Sequence, residues 1–171
     1  MIRDLHRTKD RKGVEAIDTA FETASVFDMV TTPRSIELVE RTLDQPLTKR
    51  YSIGEVFQHW ASWDRGWVFD DGEIRGFATV EHEAWNRRLK LWFLYISPAY
   101  RRKGVGRGLL DQVEQHGREV GAHHVWIETS NVNVPGVAFY NRVGYELCGA
   151  DRFLYGPYMP GETALYLAKV L

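Results

Sequence analysis

Three runs of mainly apolar and aromatic residues in the middle of the chain alternate with short polar breaks. The runs are residues 67–69, 74–81 and 89–96, and the third is rich in aromatic side chains. Asp71–Gly72 separates the first two runs, and Asn86 lies between the second and the third. Breaks of this composition are typical of tight turns between antiparallel strands. The pattern predicts a three-stranded antiparallel meander.

Beyond this meander the apolar spacing becomes helical. Residues 104–120 place aliphatic side chains near one face of a helix, and Gly121 marks its end. These side chains are Val105, Leu109, Val113 and Val120. An apolar strand pattern follows at residues 125–129. A strand, a helix and a strand in this order place their two strands parallel.

A second helix is predicted over residues 134–142. Asn133 precedes it as an N-cap, Pro135 lies in its first turn, and Gly144 marks its end. Proline fits the first turn because its missing N–H has no intrahelical partner there. These signals define both ends of the helix.

The two ends of the chain carry weaker patterns. Residues 2–7 predict a short strand and residues 11–21 a helix, whereas residues 24–43 fit either a strand or a helix. Residues 145–148 and 163–170 predict two closing strands.

Together these elements predict an α/β fold, in which a twisted, mostly antiparallel mixed sheet contains one parallel strand pair and is flanked by helices. The length of 171 residues allows one sizeable core, so a single domain over residues 1–171 is expected. Trp60, Trp63 and Trp67 recur at helical spacing, which favours a core-facing surface over a substrate-binding wall.

Composition argues against several classes of protein. A formal net charge of −1 gives no electrostatic reason to expect a nucleic-acid or membrane partner. No apolar run approaches the length of a membrane span. Cys148 is the only cysteine, so no disulfide forms within the chain, and a cytoplasmic location is expected. The six histidines form no metal-binding pattern, and no metal is expected.

The segment from Leu94 to Gly108 concentrates the features of an anion site. Three cations at residues 101–103 follow an apolar strand, and glycines alternate at positions 104, 106 and 108 where the helix begins. A helix start presents unpaired N–H groups and partial positive charge to a phosphate. Two interpretations remain at this point: a pyrophosphate cradle, or a basic turn that only begins a helix.

Two other glycine-rich phosphate motifs fit poorly. A dinucleotide-binding fingerprint requires G-x-G-x-x-G directly after a strand, whereas the spacing here is G-x-G-x-G with a proline and a basic cluster before it. A P-loop requires G-K-[ST], which does not occur.

The spacing of Arg101, Gly104 and Gly106 resembles R-x-x-G-x-G, the acetyl-CoA pyrophosphate signature of the GNAT N-acetyltransferase superfamily. The resemblance continues at Asn133, Tyr140, Gly144 and Tyr145. Within the superfamily, further residues are similar to those of streptothricin acetyltransferases: Phe27, Asp28, Glu128, Thr129, Asn133 to Pro135, Asp151, Phe153, Tyr155 and Glu162 to Ala164. This similarity also favours a strand over residues 36–41.

The resemblance implies how acetyl-CoA is held. The pyrophosphate would lie on the loop formed by Arg101, Arg102, Lys103, Gly104, Val105 and Gly106. The backbone of Leu94, Tyr95 and Ile96 would pair with the pantetheine arm and polarise the thioester carbonyl. Asn133 would bind pantetheine, alone or together with its role as an N-cap, and Gly136 stands where the family usually has alanine.

The resemblance also implies the proton transfers. Tyr140 takes the position of the general acid for the departing thiolate, and a phenol with a pKa near 10 is protonated at neutral pH. The alternative for Tyr140 is a core tyrosine. Glu128 is the first candidate for the base, and Glu81 and Glu83 follow. Trp92–Phe93 occupies the position where many relatives carry an acid.

An acceptor pocket lined by carboxylates would suit a polycationic amine such as a streptothricin. Local similarity assigns Asp28, Glu37, Glu128 and Asp151 to it. The sequence therefore predicts an N-acetyltransferase that uses acetyl-CoA and a small primary amine. Two alternatives remain, a protein N-terminal or lysine acetyltransferase and a non-catalytic acyl-CoA-binding sensor. Relatives often form homodimers through sheet edges, so a homodimer is a further expectation.

Overall fold

The computed structural model describes residues 1–171. The strands are β1 (Ile2–Asp4), β2 (Phe21–Thr32), β3 (Ser35–Lys49), β4 (Arg65–Asp70), β5 (Ile74–Glu83), β6 (Arg88–Ile96), β7 (His124–Ser130), β8 (Glu146–Asp151) and β9 (Ala164–Val170). The α-helices are α1 (Arg11–Glu15), α2 (Val105–Glu119) and α3 (Val134–Arg142). No helix combines the length and apolar character needed to cross a membrane.

Seven strands are hydrogen-bonded in the order β1-β4-β5-β6-β7-β9-β8, and β2 and β3 form a separate two-stranded sheet. The β1–β4, β4–β5, β5–β6 and β8–β9 pairs are antiparallel. β6 and β7, connected through α2, are the parallel pair. The predicted mixed α/β sheet is confirmed.

Two compact units make up the chain. The first contains residues 1–21, 50–126 and 170–171, and the second contains residues 22–49 and 127–169. The expectation of a single domain stays a prediction.

The core of the first unit forms around α1 and the meander. Its fully or nearly buried members are Val14, Ile17, Val56, Ala61, Trp63, Val68 and Phe77. Val68 and Phe77 pair in the β4–β5 register, so the alternation of each strand directs both side chains inward. Burial of each such side chain contributes about 1.5–3 kcal/mol to folding before entropy is counted.

Helix α2 has the apolar face that the sequence predicts. Val105, Leu109, Leu110 and Val113 are buried. The helix ends at Glu119, one residue from its predicted end, and Gly121 follows in the left-handed region at φ +72°.

The second unit contains the long β2–β3 hairpin, α3 and the β8–β9 pair. Only Pro33–Arg34 connects β2 to β3, and so short a connection requires antiparallel strands. The predicted strand over residues 36–41 is confirmed as part of β3. Helix α3 has the predicted bounds, with Asn133 as its N-cap.

One expectation about the N-terminal region is wrong. The helix predicted over residues 11–21 ends at Glu15, because one side chain beyond it binds a backbone N–H that a helix would need and another bonds a distant segment. Asp18 Oδ1 accepts from Ala20 N at 3.0 Å, and Thr19 Oγ1 donates to Tyr51 O at 2.7 Å. Phe21 then opens β2.

The three tryptophans do not share a helix face. Trp67 lies in β4, Trp63 precedes that strand, and Trp60 is 48% exposed. Trp63 and Trp67 are buried, so two of the three belong to the core. The helical spacing is accidental, since a loop and a strand carry these residues.

Candidate active site

The glycine loop in the first unit has the backbone of an anion site. Arg102 and Gly104 adopt positive φ angles of 60° and 83°, and Gly104 is the N-cap of α2. No atom lies within 4 Å of the place where a Cβ on Gly104 would be, so glycine is required there by its φ angle rather than by crowding. The first N–H groups of α2 lack intrahelical acceptors and remain available to an anion.

Arg101 ties this loop to the end of β6. Its Nε donates to the carbonyl oxygen of Ile96 at 2.9 Å, and the side chain is partly buried. Burial lowers the pKa of its guanidinium. Arg102 and Lys103 are exposed beside it. Arg101 therefore ties the loop to β6, while its neighbours add positive charge at the surface.

A bulge interrupts β6 next to the predicted pantetheine strand. Thr79 of β5 pairs with Phe93 and Val80 pairs with Leu91, which leaves Trp92 as the extra residue. From Trp92 to Ile96 every side chain is only partly buried. An apolar strand inside a sheet that stays partly exposed over five consecutive residues has room for a ligand along it.

In the second unit, Asn133 connects the end of β7 to the start of α3. Its Oδ1 accepts from Gly136 N at 3.1 Å, which makes it the predicted N-cap. Its Nδ2 donates to Oγ1 of the buried Thr129 at 2.9 Å. Both ends of the carboxamide are therefore held.

Tyr140 is a buried residue of α3. Its ring packs edge-on against Tyr145, with 5.9 Å between the centroids. Burial raises the pKa of the Tyr140 phenol, so the group stays protonated at neutral pH. Both the general-acid and the core interpretation fit this position.

Glu128 and Asp151 lie near a residue that sequence reasoning missed, Tyr166 of β9. Burial raises the pKa of the Tyr166 phenol, and the charges of Asp151 and Glu128 raise it further. Glu128 is exposed on β7. Asp151 Oδ1 also accepts from Phe153 N at 2.7 Å. Two of the predicted acids thus share one electrostatic environment.

The alternative bases have structural partners. Glu81 accepts from Ser62 Oγ at 2.9 Å and from Trp92 Nε1 at 2.8 Å, which occupies both carboxylate oxygens. Glu83 forms a 2.5 Å ion pair with Arg88. Glu81 and Glu83 therefore each hold a neighbouring side chain in place.

A cleft of about 380 Å³ opens in the second unit. Asp28 lines it together with Arg41, which sequence reasoning missed, and the two form a bidentate ion pair at 2.5 and 3.1 Å. The Arg41 guanidinium holds the pKa of the Asp28 carboxyl below its usual value. Glu37 is exposed on β3 and is not among the lining residues.

Asn131 lines this cleft and binds Phe27 and Thr163, two residues that lie in the segments similar to streptothricin acetyltransferases. Its Nδ2 donates to Phe27 O, and its Oδ1 accepts from Thr163 N, both at 2.8 Å. Its own backbone bonds the same two residues, since Phe27 N donates to Asn131 O and Asn131 N to Thr163 O. No sequence motif marked Asn131.

A mostly buried ion pair lies beside Asn131. Glu162 accepts from Lys49 Nζ and, at 2.5 Å, from the hydroxyl of the buried Ser130. The Lys49 and Glu162 side chains are 20% and 13% exposed. This pair joins the end of β3 to the segment before β9.

No group of three or more His, Cys, Asp or Glu side chains is arranged to hold a metal ion.

The chain is similar to acetyltransferases of known sequence and structure. Residues 34–145 match the Acetyltransferase (GNAT) family. Streptothricin acetyltransferase of Streptomyces lavendulae is 37% identical over 171 residues, covering 95% of this chain and 90% of the relative. The crystal structure of nourseothricin acetyltransferase has a TM-score of 0.88 at 36% identity and covers 99% of this chain and 97% of its own. A Bacillus anthracis structure in complex with acetyl coenzyme A has the same fold, with a TM-score of 0.83 at 23% identity and coverage of 100% and 99%.

Proposed function

Because the chain belongs to the GNAT acetyltransferase family, we propose that it moves an acetyl group from acetyl-CoA to a primary amine of a cationic antibiotic such as streptothricin. The observation that carries this proposal is the 37% identity to a streptothricin acetyltransferase over 95% of the chain. The glycine loop supports the cofactor assignment, since the backbone at Arg102 and Gly104 suits an anion.

Acetyl-CoA would supply the activated thioester. Arg101, Arg102, Lys103 and the N–H groups from Gly104 to Gly106 would bind its pyrophosphate. The backbone of Leu94, Tyr95 and Ile96 would orient the pantetheine arm and stabilise the oxyanion that develops on the carbonyl. Asn133 would bind the same arm, and Gly136 would leave space for the Asn133 side chain.

Proton transfer is assigned to Tyr140 and Glu128. The buried phenol of Tyr140 would donate a proton to the departing thiolate. The exposed carboxylate of Glu128 would accept the proton that the acceptor amine must lose before or during attack. Both roles follow from family resemblance. The raised pKa that keeps Tyr140 protonated and the exposure of Glu128 are compatible with them.

The acceptor is assigned to the carboxylates at Asp28, Glu37 and Asp151. Asp28 has the strongest support, because it lines the cleft of the second unit. A polycationic acceptor would compete with Arg41 for this carboxylate. A single cysteine, Cys148, suits the proposed cytoplasmic location.

Thermal unfolding with and without acetyl-CoA, followed by thiol release in the same samples, tests the proposal. A ligand at a hundredfold excess over its dissociation constant stabilises the folded protein by about 2.7 kcal/mol, which raises the melting temperature. Thiol release with streptothricin is expected. Release with a peptide N-terminus but not with streptothricin would make the protein a protein acetyltransferase, and a melting shift without release from any amine would make it a sensor.

A further inference from the structure

Six aromatic rings form a continuous row in the first unit. Successive ring centroids lie 5.9, 6.1, 6.4, 6.0 and 6.2 Å apart, which is within the range of interacting aromatic pairs. The members of this aromatic row are, in order, Phe21, Tyr51, Tyr95, Phe93, Trp92 and Trp60.

The β6 bulge makes the row continuous. Consecutive residues of a regular strand point to opposite faces of the sheet. Trp92 is the extra residue of the bulge, and this turns its indole toward the ring of Phe93, 6.0 Å away. Neighbouring side chains thereby line the same surface.

The aromatic row covers the core without being enclosed by it. Trp92, Phe93 and Tyr95 pack on the hydrophobic cluster that contains Val14 and Phe77. None of the six rings is fully buried, and Trp60 is 48% exposed. Part of each of the six side chains therefore remains accessible.

Charged groups already interact with the Trp92 ring. Lys90 Nζ lies 3.6 Å from its centroid, a cation–π distance. Glu81 accepts a hydrogen bond from Trp92 Nε1, and this bond fixes the orientation of the indole ring. An aromatic face with a carboxylate at its edge favours an ammonium group.

We propose that the aromatic row is the subsite for a non-reacting ammonium group of the acceptor, with Trp92 as the main contact. The Lys90 ammonium occupies this face until the acceptor displaces it. A reacting amine must be neutral when it attacks, so a cation subsite serves the other charges of a polycation. This inference rests on the proposed function, because it assigns part of the same acceptor.

Steady-state kinetics with streptothricin and with propylamine test the subsite. Trp92→Leu is expected to raise the KM for streptothricin about five- to thirtyfold, with little change in kcat and none in the KM for propylamine. Lys90→Met is expected to lower the KM for streptothricin, because it removes the competing cation. Trp85→Leu, at an indole 85% exposed in the turn before β6, and Lys12→Met on α1 are matched controls.

Retained melting and retained stabilisation by acetyl-CoA show that each variant is folded. If Trp92→Leu unfolds, Lys90→Met alone tests the subsite. An unchanged KM for streptothricin in the Trp92 variant would overturn the subsite. Absence of thiol release from the wild type refutes the proposed function instead. In that case, fluorescence titration measures the Kd for streptothricin and tests the aromatic row independently of turnover. Equal Kd values for the wild type and the Trp92 variant would reject the proposed subsite.

Discussion

The carboxamide of Asn133 occupies the space that a side chain at Gly136 would need. A Cβ on Gly136 would lie 2.3 Å from Asn133 Nδ2 and 2.7 Å from its Oδ1, both far inside van der Waals contact. The glycine therefore allows the asparagine to cap α3 and to bind Thr129 at the same time. This contact explains why glycine, which weakens helices, occupies position 136 of α3.

Two substitutions of Asn133 separate its capping role from its proposed role in pantetheine binding. Asn133→Ala should lower the free energy of unfolding by about 1 kcal/mol, because the cap is lost. Asn133→Asp should keep most of this stability, since a carboxylate accepts from Gly136 N and favours a helix N-terminus. Both variants should raise the KM for acetyl-CoA in a thiol-release assay. If the KM of Asn133→Asp for acetyl-CoA equals that of the wild type, Asn133 serves only as an N-cap.

Tyr140→Phe should decrease kcat by about a hundredfold or more, because it removes the proposed proton donor. Stabilisation by acetyl-CoA in thermal melts should persist. Burial raises the pKa of Tyr140, so any loss of activity caused by its ionisation should occur at a higher pH than that at which a free phenol ionises. Tyr145→Phe is the matched control, since it removes a hydroxyl from the ring packed against Tyr140. Full turnover by the Tyr140 variant would make Tyr140 a core residue.

The Asp28–Arg41 ion pair predicts opposite effects of its two members on the acceptor. Asp28→Asn should raise the KM for streptothricin, because the cleft loses a carboxylate that faces it. Arg41→Met should lower that KM, because the carboxylate is no longer paired within the protein. Glu37 does not line the cleft, and the KM for streptothricin in a Glu37 variant tests its predicted role in binding the acceptor. A KM that changes in the same direction in both ion-pair variants would exclude competition at Asp28.

Asp10 should make stability depend on pH in the acidic range. It is 7% exposed and accepts two hydrogen bonds from the Arg3 guanidinium, at 2.8 and 2.9 Å. The Arg3 hydrogen bonds hold the pKa of Asp10 below its usual value. Its contribution is therefore complete above the unfolded pKa of about 3.9 and disappears as the pH falls through the folded pKa.

Urea denaturation at several pH values checks this dependence. Asp10→Asn should lower the free energy of unfolding by about 2 kcal/mol at pH 7, and the difference from the wild type should shrink at acidic pH. Asp4→Asn breaks an exposed pair with Arg65 and should have little effect at any pH. An Asp10 variant as stable as the wild type at pH 7 would contradict the assignment.

Local sequence signals determined much of this protein. The Asp71–Gly72 turn, the stripe of α2 and both ends of α3 follow from backbone preferences that act within a few residues, so their prediction succeeded. The glycine loop was also readable, because its function depends on consecutive residues and the start of one helix. The helix predicted from residue 11 failed beyond Glu15, where Thr19 bonds the distant Tyr51.

Only the tertiary structure decided which distant residues meet. The pairing of Asp28 with Arg41, the junction of Phe27 and Thr163 on Asn131, and the Lys49–Glu162 pair each depend on how strands and loops pack. The bulge that turns Trp92 onto the face of Phe93 is set by register against β5. Such contacts leave no local periodicity in the sequence, because they arise from the placement of whole elements rather than from neighbouring residues.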